Sequence, residues 1–363
     1  MPTAEHGAQC VPLLGGRATR VSPPACGGRI ARECSIRAEK MPRPPGASGP
    51  HAPCVPHTHR LACTPVNASV HLLEQVLPSV VHVRSRIPEQ HPSARILGIE
   101  RMGSGIVIDG DGLILTVNYV LVGASEVTVT LLDKREHPAT VLRHDFRSGL
   151  GLLRIDQRGL PTLPLHSSRG LALGEEIFLV ASVGDGQARV ADGNVTHLGA
   201  FDANWEYVLD RAIVSTAMNP GLGGGPMLDL AGRVLGVVSL NLNEIGKFSL
   251  AVPSEYYLDQ RDAFLADGPQ GMGKRAWLGI FCYAMDGHVV IAGLLPEGPG
   301  DKAGLRPGDV IVMIDGDKVA DRAHLYRLLW QREPGSGVRL GVVRGRQRVA
   351  VEVSSGDVVE FFA

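Results

Sequence analysis

The chain has 363 residues, a formal net charge of −1 and 20% charged residues. This length allows two or three domains, and the balanced charge argues against a protein dedicated to nucleic-acid binding. Glycine is frequent, at 45 residues, and many glycines separate short runs of valine, isoleucine and leucine. This pattern favours a mostly β protein built from short strands and tight turns.

The first 65 residues differ in composition from the rest. They are rich in proline, glycine, arginine and histidine and lack a hydrophobic period, so we expect residues 1–65 to be a disordered basic tail. Five of the six cysteines lie there: Cys10, Cys26, Cys34, Cys54 and Cys63. Their spacing contains no CxxC pair, which favours free thiols, and a zinc site formed with tail histidines is the alternative. We expect no metal site and no cofactor.

No signal for export is visible near Met1 or Met41. Neither methionine is followed by an uninterrupted apolar segment, and no run is long and apolar enough to span a membrane. The tail is rich in arginine, as transit peptides are, but prolines interrupt it, and a start at Met41 or later is a further alternative. The sequence therefore predicts a cytoplasmic location and no integral membrane segment.

Ordered structure is expected to begin near residue 66, where apolar residues follow helical spacing up to Pro78 and an alternating strand follows. Between residues 103 and 253, short apolar runs are separated by turn signals, and two Asp-Gly pairs at 109–112 mark a hairpin. Many short strands without long helices predict a sandwich or barrel rather than βαβ units. A glycine-rich linker follows, then strands and one helix at 321–331 that predict a small α+β domain.

Four segments, in order, resemble the HtrA/Deg family of trypsin-like serine proteases with a C-terminal PDZ domain. They are GSGIVIDGDGLILT (103–116), HDFRSGLGLLRID (144–156), NPGLGGGPMLDLAGRVLGV (219–237) and KFSLAVPSE (247–255). The resemblance covers roughly residues 70–355 and implies a mostly β fold, a trypsin-like double β-barrel followed by a PDZ domain. The expected divisions are the tail at 1–65, the trypsin-like domain at 66–262, a linker at 263–274, the PDZ domain at 275–357 and an apolar C-terminal tail at 358–363.

Three positions depart from the family's catalytic pattern. The family uses a serine nucleophile, a histidine base and an orienting aspartate, in the motifs GNSGGP, TNNHV and T/S-D-L-A. Here the motifs read GLGGGP, TVNYV and SGLGL, which place Gly223, Tyr119 and Gly149 at the three positions. Glycine supplies neither nucleophile nor carboxylate, and a free phenol titrates near pH ~10. The sequence therefore predicts a degenerate triad and a pseudoprotease that is not an enzyme.

Other groups near these positions were considered for a relocated or residual chemistry. His144, Asp145, Ser215 and Ser239 are polar residues near the expected cleft, but no GxSxG or SxxK motif accompanies them. The amides of Gly221 and Gly223 could still form a small oxyanion-like nest for a carbonyl or carboxylate. Leu222 would make the mouth of that nest apolar, and the bulk of Tyr119 would fill part of the cleft.

The segment WLGI (277–280) resembles the carboxylate-binding loop of a PDZ domain, and GPGDKAGLRPGDVIVMIDGDKV (298–319) resembles the bacterial type of that domain. The resemblance implies that a peptide lies beside the strand after this loop, with its C-terminal carboxylate on the loop amides. The predicted peptide-binding residues are Trp277, Leu278, Gly279, Ile280, Leu325, Leu328 and Leu329. The tail VVEFFA (358–363) is a candidate ligand for a PDZ groove of the same or a neighbouring chain.

The predicted function is a non-catalytic HtrA-like protein that binds peptides, protein C-termini or unfolded segments, and that regulates or co-assembles with an active homologue. The alternatives are a serine endopeptidase of the family with residual or relocated catalysis, a purely structural scaffold, and a decaying gene product. The resemblance also implies a homo-oligomer, a trimer in this family, and a periplasmic or organellar location as the alternative to a cytoplasmic one.

Overall fold

The computed structural model describes residues 66–219, 221, 223–243, 246–266, 268 and 270–362. The predictions for residues 1–65 and for Leu222 lie outside the described residues. The chain enters the fold through helix α1 (Val66–Val76) and a 3₁₀ turn at Leu77–Ser79, where Pro78 stands. Proline is tolerated at the start of such a turn but cannot continue the preceding helix. The predicted helix and its end are therefore both present.

The first barrel begins directly after this turn. Its strands are β1 (Val80–Arg86), β2 (Glu100–Asp109), β3 (Leu113–Val117), β4 (Glu126–Thr130), β5 (Glu136–Asp145) and β6 (Leu150–Ile155), with short helices α2 (Ala94–Leu97) and α3 (Asn118–Leu121) between them. The strand order is β5-β4-β1-β2-β3-β6, and β5 also pairs with β6, which closes the sheet. At the predicted β2–β3 hairpin, the Asp109 carboxylate accepts a 2.8 Å hydrogen bond from the Asp111 amide, as turn aspartates do.

A second closed barrel follows. Its strands are β7 (Glu176–Gly184), β8 (Gln187–Ala203), β9 (Tyr207–Ser215), β10 (Pro226–Asp229), β11 (Val234–Asn241) and β12 (Ser249–Pro253), followed by helices α4 (Glu255–Leu258) and α5 (Arg261–Leu265). The largest apolar core draws buried side chains from both barrels. The fold class is therefore confirmed as mostly β, with a trypsin-like double barrel. Strand β8 is the longest of this barrel, with 17 residues, and its hairpin with β9 turns at residues 204–206.

The segment predicted as a linker is integrated into the first barrel. Strand β13 (Gly271–Met272) pairs in parallel with His144 and Asp145 of β5, so it extends that sheet by one short strand. Helix α5 also runs past residue 262, the expected end of the domain. A strand of two residues has no hydrophobic period, and it is held through backbone groups that every residue carries. Sequence patterning therefore had no signal from which to detect it.

The PDZ domain closes the chain. Its elements are β14 (Ala276–Trp277), β15 (Ile280–Met285), β16 (His288–Leu294), α6 (Pro299–Lys302), β17 (Val310–Ile314), β18 (Asp317–Lys318), α7 (Arg322–Leu329), β19 (Gly337–Arg344), β20 (Gln347–Ser354), β21 (Gly356–Asp357) and α8 (Val358–Phe361). The main sheet has the order β15-β16-β17-β19-β20, so β15 is an edge strand. Helix α7 begins after Asp321, whose carboxylate accepts a 2.7 Å hydrogen bond from the His324 amide and so caps the predicted helix.

The C-terminal segment packs against the PDZ loop rather than along the β15 edge. The rings of Trp277 and Phe361 lie 4.7 Å apart between centroids, and Phe362 stacks on Phe146 of the first barrel at 6.1 Å. Together with Val358 and Val359, these side chains form a small apolar cluster between the two domains. No helix among the described residues is long and apolar enough to cross a membrane.

Candidate functional sites

The glycine-rich loop before β10 packs tightly against the first barrel, and two of its glycines are required by that packing. A Cβ on Gly224 would collide with the carbonyl oxygen of Ser104 and the hydroxyl of Thr116. A Cβ on Gly225 would collide with the carbonyl oxygen of Val180. The backbone also adopts φ +101° at Gly224, a conformation that side chains other than glycine rarely allow. These two glycines therefore serve the architecture of the loop.

Gly223 is different, because the atom nearest to a Cβ there belongs to the Tyr119 side chain. A Cβ on Gly223 would collide with the Tyr119 hydroxyl and would lie 2.9 Å from the carbonyl oxygen of Ser239. The Tyr119 hydroxyl donates a 3.1 Å hydrogen bond to that same carbonyl. The phenol from α3 therefore occupies the room beside the loop that a serine side chain at position 223 would need.

Tyr119 is also unsuited to accept a proton. Burial raises the pKa of Tyr119 well above its usual value, because the charged phenolate would lose its hydration. The group therefore stays protonated at neutral pH and acts as a hydrogen-bond donor. A general base must hold a free lone pair near the operating pH, and this phenol does not satisfy that requirement.

Gly149, the third predicted triad position, lies in a tight turn held by polar contacts. Its φ is +75°, and a Cβ there would lie 3.2 Å from the Tyr207 hydroxyl. That hydroxyl donates a 2.6 Å hydrogen bond to the carbonyl oxygen of Ser148. The neighbouring carboxylate of Asp145 is fully buried and accepts a 2.5 Å hydrogen bond from the Ser148 hydroxyl. Asp145 therefore stabilises the turn and is not presented to the cleft.

The other residues considered for relocated catalysis are not brought together. His144 is buried, its pKa is lowered to about 4 by desolvation, and it lies on β5 beside β13. The Ser215 hydroxyl is buried and lies 3.5 Å from that of Ser249. Ser239 is half-buried, and its carbonyl oxygen is the one that Tyr119 contacts. Among the hydrogen bonds of the described residues, none joins one of these serines to a histidine.

One serine–histidine contact does occur elsewhere, and sequence patterning missed it. The Ser93 hydroxyl lies 2.7 Å from Nδ1 of His91. The same hydroxyl accepts a 2.6 Å hydrogen bond from Arg101, whose guanidinium also donates to the carbonyl oxygen of Tyr119 at 2.8 Å. Ser93 is 1% exposed. The cluster therefore holds the backbone around α3, and its hydroxyl is not accessible to a peptide.

The predicted oxyanion-like nest is partly occupied by the loop itself. The amide of Gly221 donates a 3.1 Å hydrogen bond to the side-chain oxygen of Asn219. The carbonyl oxygen of Gly223 accepts a 2.8 Å hydrogen bond from the Ser104 amide. At least one of the two amides expected to face a substrate is thus engaged within the loop, and the nest remains a prediction.

The carboxylate-binding loop of the PDZ domain holds a carboxylate in this structure. The amides of Leu278 and Ile280 donate to the Glu206 carboxylate at 3.0–3.2 Å. Glu206 lies at the tip of the β8–β9 hairpin of the second barrel, with φ +55° and 1% of its surface exposed. Gly279, between the two donor residues, has φ +72°, which turns both amides toward one point. The loop therefore has the geometry to bind a carboxylate.

Glu206 is almost completely excluded from solvent. Burial raises the pKa of Glu206 to about 7, although the loop amides and the Arg275 charge act in the opposite direction. Arg275 donates a 2.7 Å hydrogen bond to the Glu206 carbonyl oxygen and lies 4.0 Å from the centroid of the Trp330 ring. No sequence motif indicated Glu206, because its role depends on a contact between residues more than seventy positions apart.

The predicted pocket residues on α7 lie mainly in the PDZ core. Leu325 and Leu329 are fully buried, and Leu328 packs partly against the same cluster. The α7 residues that reach the hairpin are instead Tyr326 and Arg322. The hydroxyl of Tyr326 donates to the Asn204 carbonyl oxygen at 3.1 Å, and Arg322 pairs with the Asp202 carboxylate at 2.6 Å. Trp277 packs on the C-terminal segment described above.

Family models match both halves of the chain. A trypsin-like peptidase domain matches residues 103–237, and a PDZ domain matches residues 276–354. Among curated relatives, a probable periplasmic serine endoprotease DegP-like from Ectopseudomonas mendocina (strain ymp) is 32% identical over 75% of this chain and 60% of its own length. One of the same description from Hahella chejuensis is 33% identical over 70% of this chain and 57% of its own length. The chain therefore spans less than two thirds of these relatives.

A solved structure of the HtrA-type protease AlgW with a tripeptide is 24% identical, with a TM-score of 0.50, and the match covers 79% of this chain and 96% of that one. This likeness supports the fold. Two predictions are corrected by the relatives. The prediction that the chain is not an enzyme is wrong, because the matched relatives are named serine endoproteases. The prediction of a cytoplasmic location is wrong, because the same relatives are named periplasmic.

Proposed function

Because the chain belongs to the HtrA/Deg family of trypsin-like proteins with a PDZ domain, we propose that it acts on polypeptides in the periplasm. In this proposal the PDZ domain recruits a polypeptide through a free C-terminal carboxylate, and the double barrel receives the recruited segment. The observation that carries the proposal is the loop at 277–280, whose amides hold the Glu206 carboxylate at 3.0–3.2 Å. A loop that binds this carboxylate offers the same donors to the C-terminus of a peptide.

The reaction proposed for the barrel domain is that of its relatives, hydrolysis of peptide bonds. The relatives' names support it, and the geometry around Tyr119 and Gly223 limits its rate. Loss of triad members in well-studied serine proteases costs on the order of 10⁴ to 10⁶ in kcat. We therefore expect the natural chain to cleave at least about 10⁴-fold more slowly than a triad-bearing variant of the same chain.

Unfolded casein tests the hydrolytic half of the proposal. The purified full chain is incubated with casein, and new peptide termini are followed by mass spectrometry across gel-filtration fractions. Slow product formation that co-elutes with the chain, and that inhibitors of metallo-, cysteine and aspartic proteases leave unchanged, supports it. The absence of products above the level of a mock purification contradicts hydrolysis and leaves recruitment to be judged on its own.

Recruitment is tested with peptides rather than with casein. The probe is a pool of random decapeptides with free carboxyl termini, applied at millimolar concentration beside the same pool with amidated termini. Saturable retention of the free-acid pool alone by the full chain supports a carboxylate-reading PDZ site. Equal retention of both pools would show that the loop at 277–280 does not recognise the terminal carboxylate.

Assembly is the remaining part of the proposal. By resemblance to its family, the chain is proposed to form a homo-oligomer, with a trimer as the expected state, and co-assembly with an active homologue is a further expectation. Mass photometry of the full chain distinguishes a monomer from a trimer. Exclusive detection of a 38.6 kDa species would contradict this part.

A further inference from the structure

The hairpin tip (residues 204–206) lies where a peptide ligand of the PDZ domain would lie. Strand β15 is an edge of its sheet, and its Cys282 amide donates a 2.7 Å hydrogen bond to the Asn204 carbonyl oxygen. The Ile280 amide on the same edge donates to the Glu206 carboxylate at 3.0 Å. An edge strand with unpaired amides is a ready template for an added strand, and here the chain's own second barrel fills it.

The spacing of these contacts matches that of a bound C-terminus. In β-augmentation the terminal carboxylate sits on the loop, and the backbone of the preceding residues pairs with alternate residues of the edge strand. Glu206 and Asn204 are two residues apart, as are Ile280 and Cys282. The hairpin therefore offers a carboxylate and a carbonyl in the register that a linear peptide would offer, except that the carboxylate comes from a side chain.

The contact is reinforced on both sides of the tip. Arg322 of α7 donates to the Asp202 carboxylate at 2.6 Å and to the Cys282 carbonyl oxygen at 3.0 Å. Arg275 donates to the Glu206 carbonyl oxygen at 2.7 Å. The positive φ of Glu206 is uncommon for a residue other than glycine, so the surrounding contacts hold the carboxylate in place.

We propose that the β8–β9 hairpin is an internal ligand of the PDZ domain, and that a polypeptide with a free C-terminus must displace the Glu206 carboxylate to bind. The inference rests on the proposed recruitment of C-terminal carboxylates. It adds that the Glu206 carboxylate competes with them for the PDZ loop. The PDZ site is thereby closed by the second barrel in the resting chain, and any ligand is selected against this tethered carboxylate.

The test compares three full-length proteins: the natural chain, Glu206→Gly and Asp210→Ala. The matched control removes an exposed carboxylate from β9 of the same hairpin, outside the groove. The probe is the random decapeptide pool with free carboxyl termini, and the amidated pool is the reference. We expect Glu206→Gly to retain at least tenfold more free-acid peptide than the natural chain at equal peptide concentration, and Asp210→Ala to match the natural chain.

Equal retention of the free-acid pool by all three proteins would overturn the internal ligand while leaving recruitment standing. If none of the three proteins retains the free-acid pool, the proposed recruitment is wrong, and the proposed competition by Glu206 is wrong as well. Glycine accepts the positive φ at position 206 without strain, and Glu206→Asn, whose shorter side chain also tolerates that φ, replaces Glu206→Gly should that variant fail to fold. Hydrogen exchange at residues 278–282 is a second readout, and exchange in the Glu206 variant no faster than in the natural chain would also overturn the inference.

Discussion

The barrel cleft and the PDZ loop are both filled by the chain itself, but by groups of different character. In the cleft, the Tyr119 phenol takes the space beside Gly223 and makes one hydrogen bond to a carbonyl. In the PDZ loop, the Glu206 carboxylate takes the place of a ligand and leaves the loop donors intact. At the three predicted triad positions the first site carries no hydroxyl nucleophile, imidazole or carboxylate, whereas the PDZ loop keeps its amide donors and covers them. Occupancy alone therefore does not distinguish the two sites, and the chemistry of the groups that remain does.

The largest expected effect comes from rebuilding the cleft. The variant Tyr119→His, Gly149→Asp, Gly223→Ser supplies the base, the carboxylate and the nucleophile, and removes the phenol that blocks position 223. Asparagine and aspartate tolerate positive φ better than most residues, which suits Gly149. We expect casein cleavage to rise on the order of 10⁴-fold or more above the natural chain.

The matched control for the rebuilt cleft carries the first two changes with Gly223→Ala, so that only the hydroxyl is missing. It should stay at the rate of the natural chain. A control that cleaves as fast as the full variant would show that the catalytic groups lie outside these three positions.

The second effect tests the closed PDZ loop by pH. The pKa of Glu206 is raised to about 7 by burial, so its protonation favours the folded state most below its unfolded value, near pH 4.5, and this contribution is lost as the pH rises toward 7. Relative to Glu206→Gln, the natural chain should lose on the order of 2–3 kcal/mol of unfolding free energy across this window. Urea unfolding followed by tryptophan fluorescence measures it, because Trp205, Trp277 and Trp330 all lie near the contact.

The titratable groups that face Glu206 each keep one protonation state across this window. The pKa of Arg275 is lowered to about 10, and burial raises those of Cys282 and Tyr326 above their usual values. A difference between the natural chain and Glu206→Gln that stays constant from pH 4.5 to 7 would show that the carboxylate is not in the buried environment described above.

A third effect separates Gly223 from the glycines around it. Gly223→Ser alone should destabilise the chain by about 1–3 kcal/mol, because the new side chain is forced against Tyr119. The same change in a Tyr119→Ala background should cost less, which gives a coupling energy in a double-mutant cycle. Gly170→Ser is the control, since nothing lies near its Cβ. Additive single effects would mean that the two residues do not share this space.

The smallest effect concerns the link between the two sites. Tyr207 follows Glu206 directly, and its hydroxyl donates to the Ser148 carbonyl oxygen beside Gly149 at 2.6 Å. Tyr207→Phe removes this buried hydrogen bond and should lower the unfolding free energy by about 1–2 kcal/mol. Tyr283→Phe, in the half-buried part of β15, serves as the control in thermal unfolding. No difference between these two variants would show that the bond contributes nothing to stability.

The sequence was sufficient for the features that local chemistry determines. The double barrel and the PDZ domain follow from motifs in the right order, and the assignment of Tyr119, Gly149 and Gly223 to the triad positions stays a prediction. The strand β13 and the role of Glu206 do not, because both depend on contacts between distant segments that leave no period or motif. The glycine pair at 224 and 225 was visible, but only the packing against Ser104 and Val180 shows why those two positions must lack a side chain.

Because Tyr119 and a side chain at position 223 would occupy the same space, the order in which the two positions are substituted matters. A serine at 223 is forced against the phenol while Tyr119 is present, so the less costly path of single substitutions first removes the bulk at position 119. That first step removes a packed side chain and a hydrogen bond and supplies no nucleophile in return. A library that varies one position at a time would therefore record a cost at each position, and only paired substitution would reveal that the family's residues are compatible there.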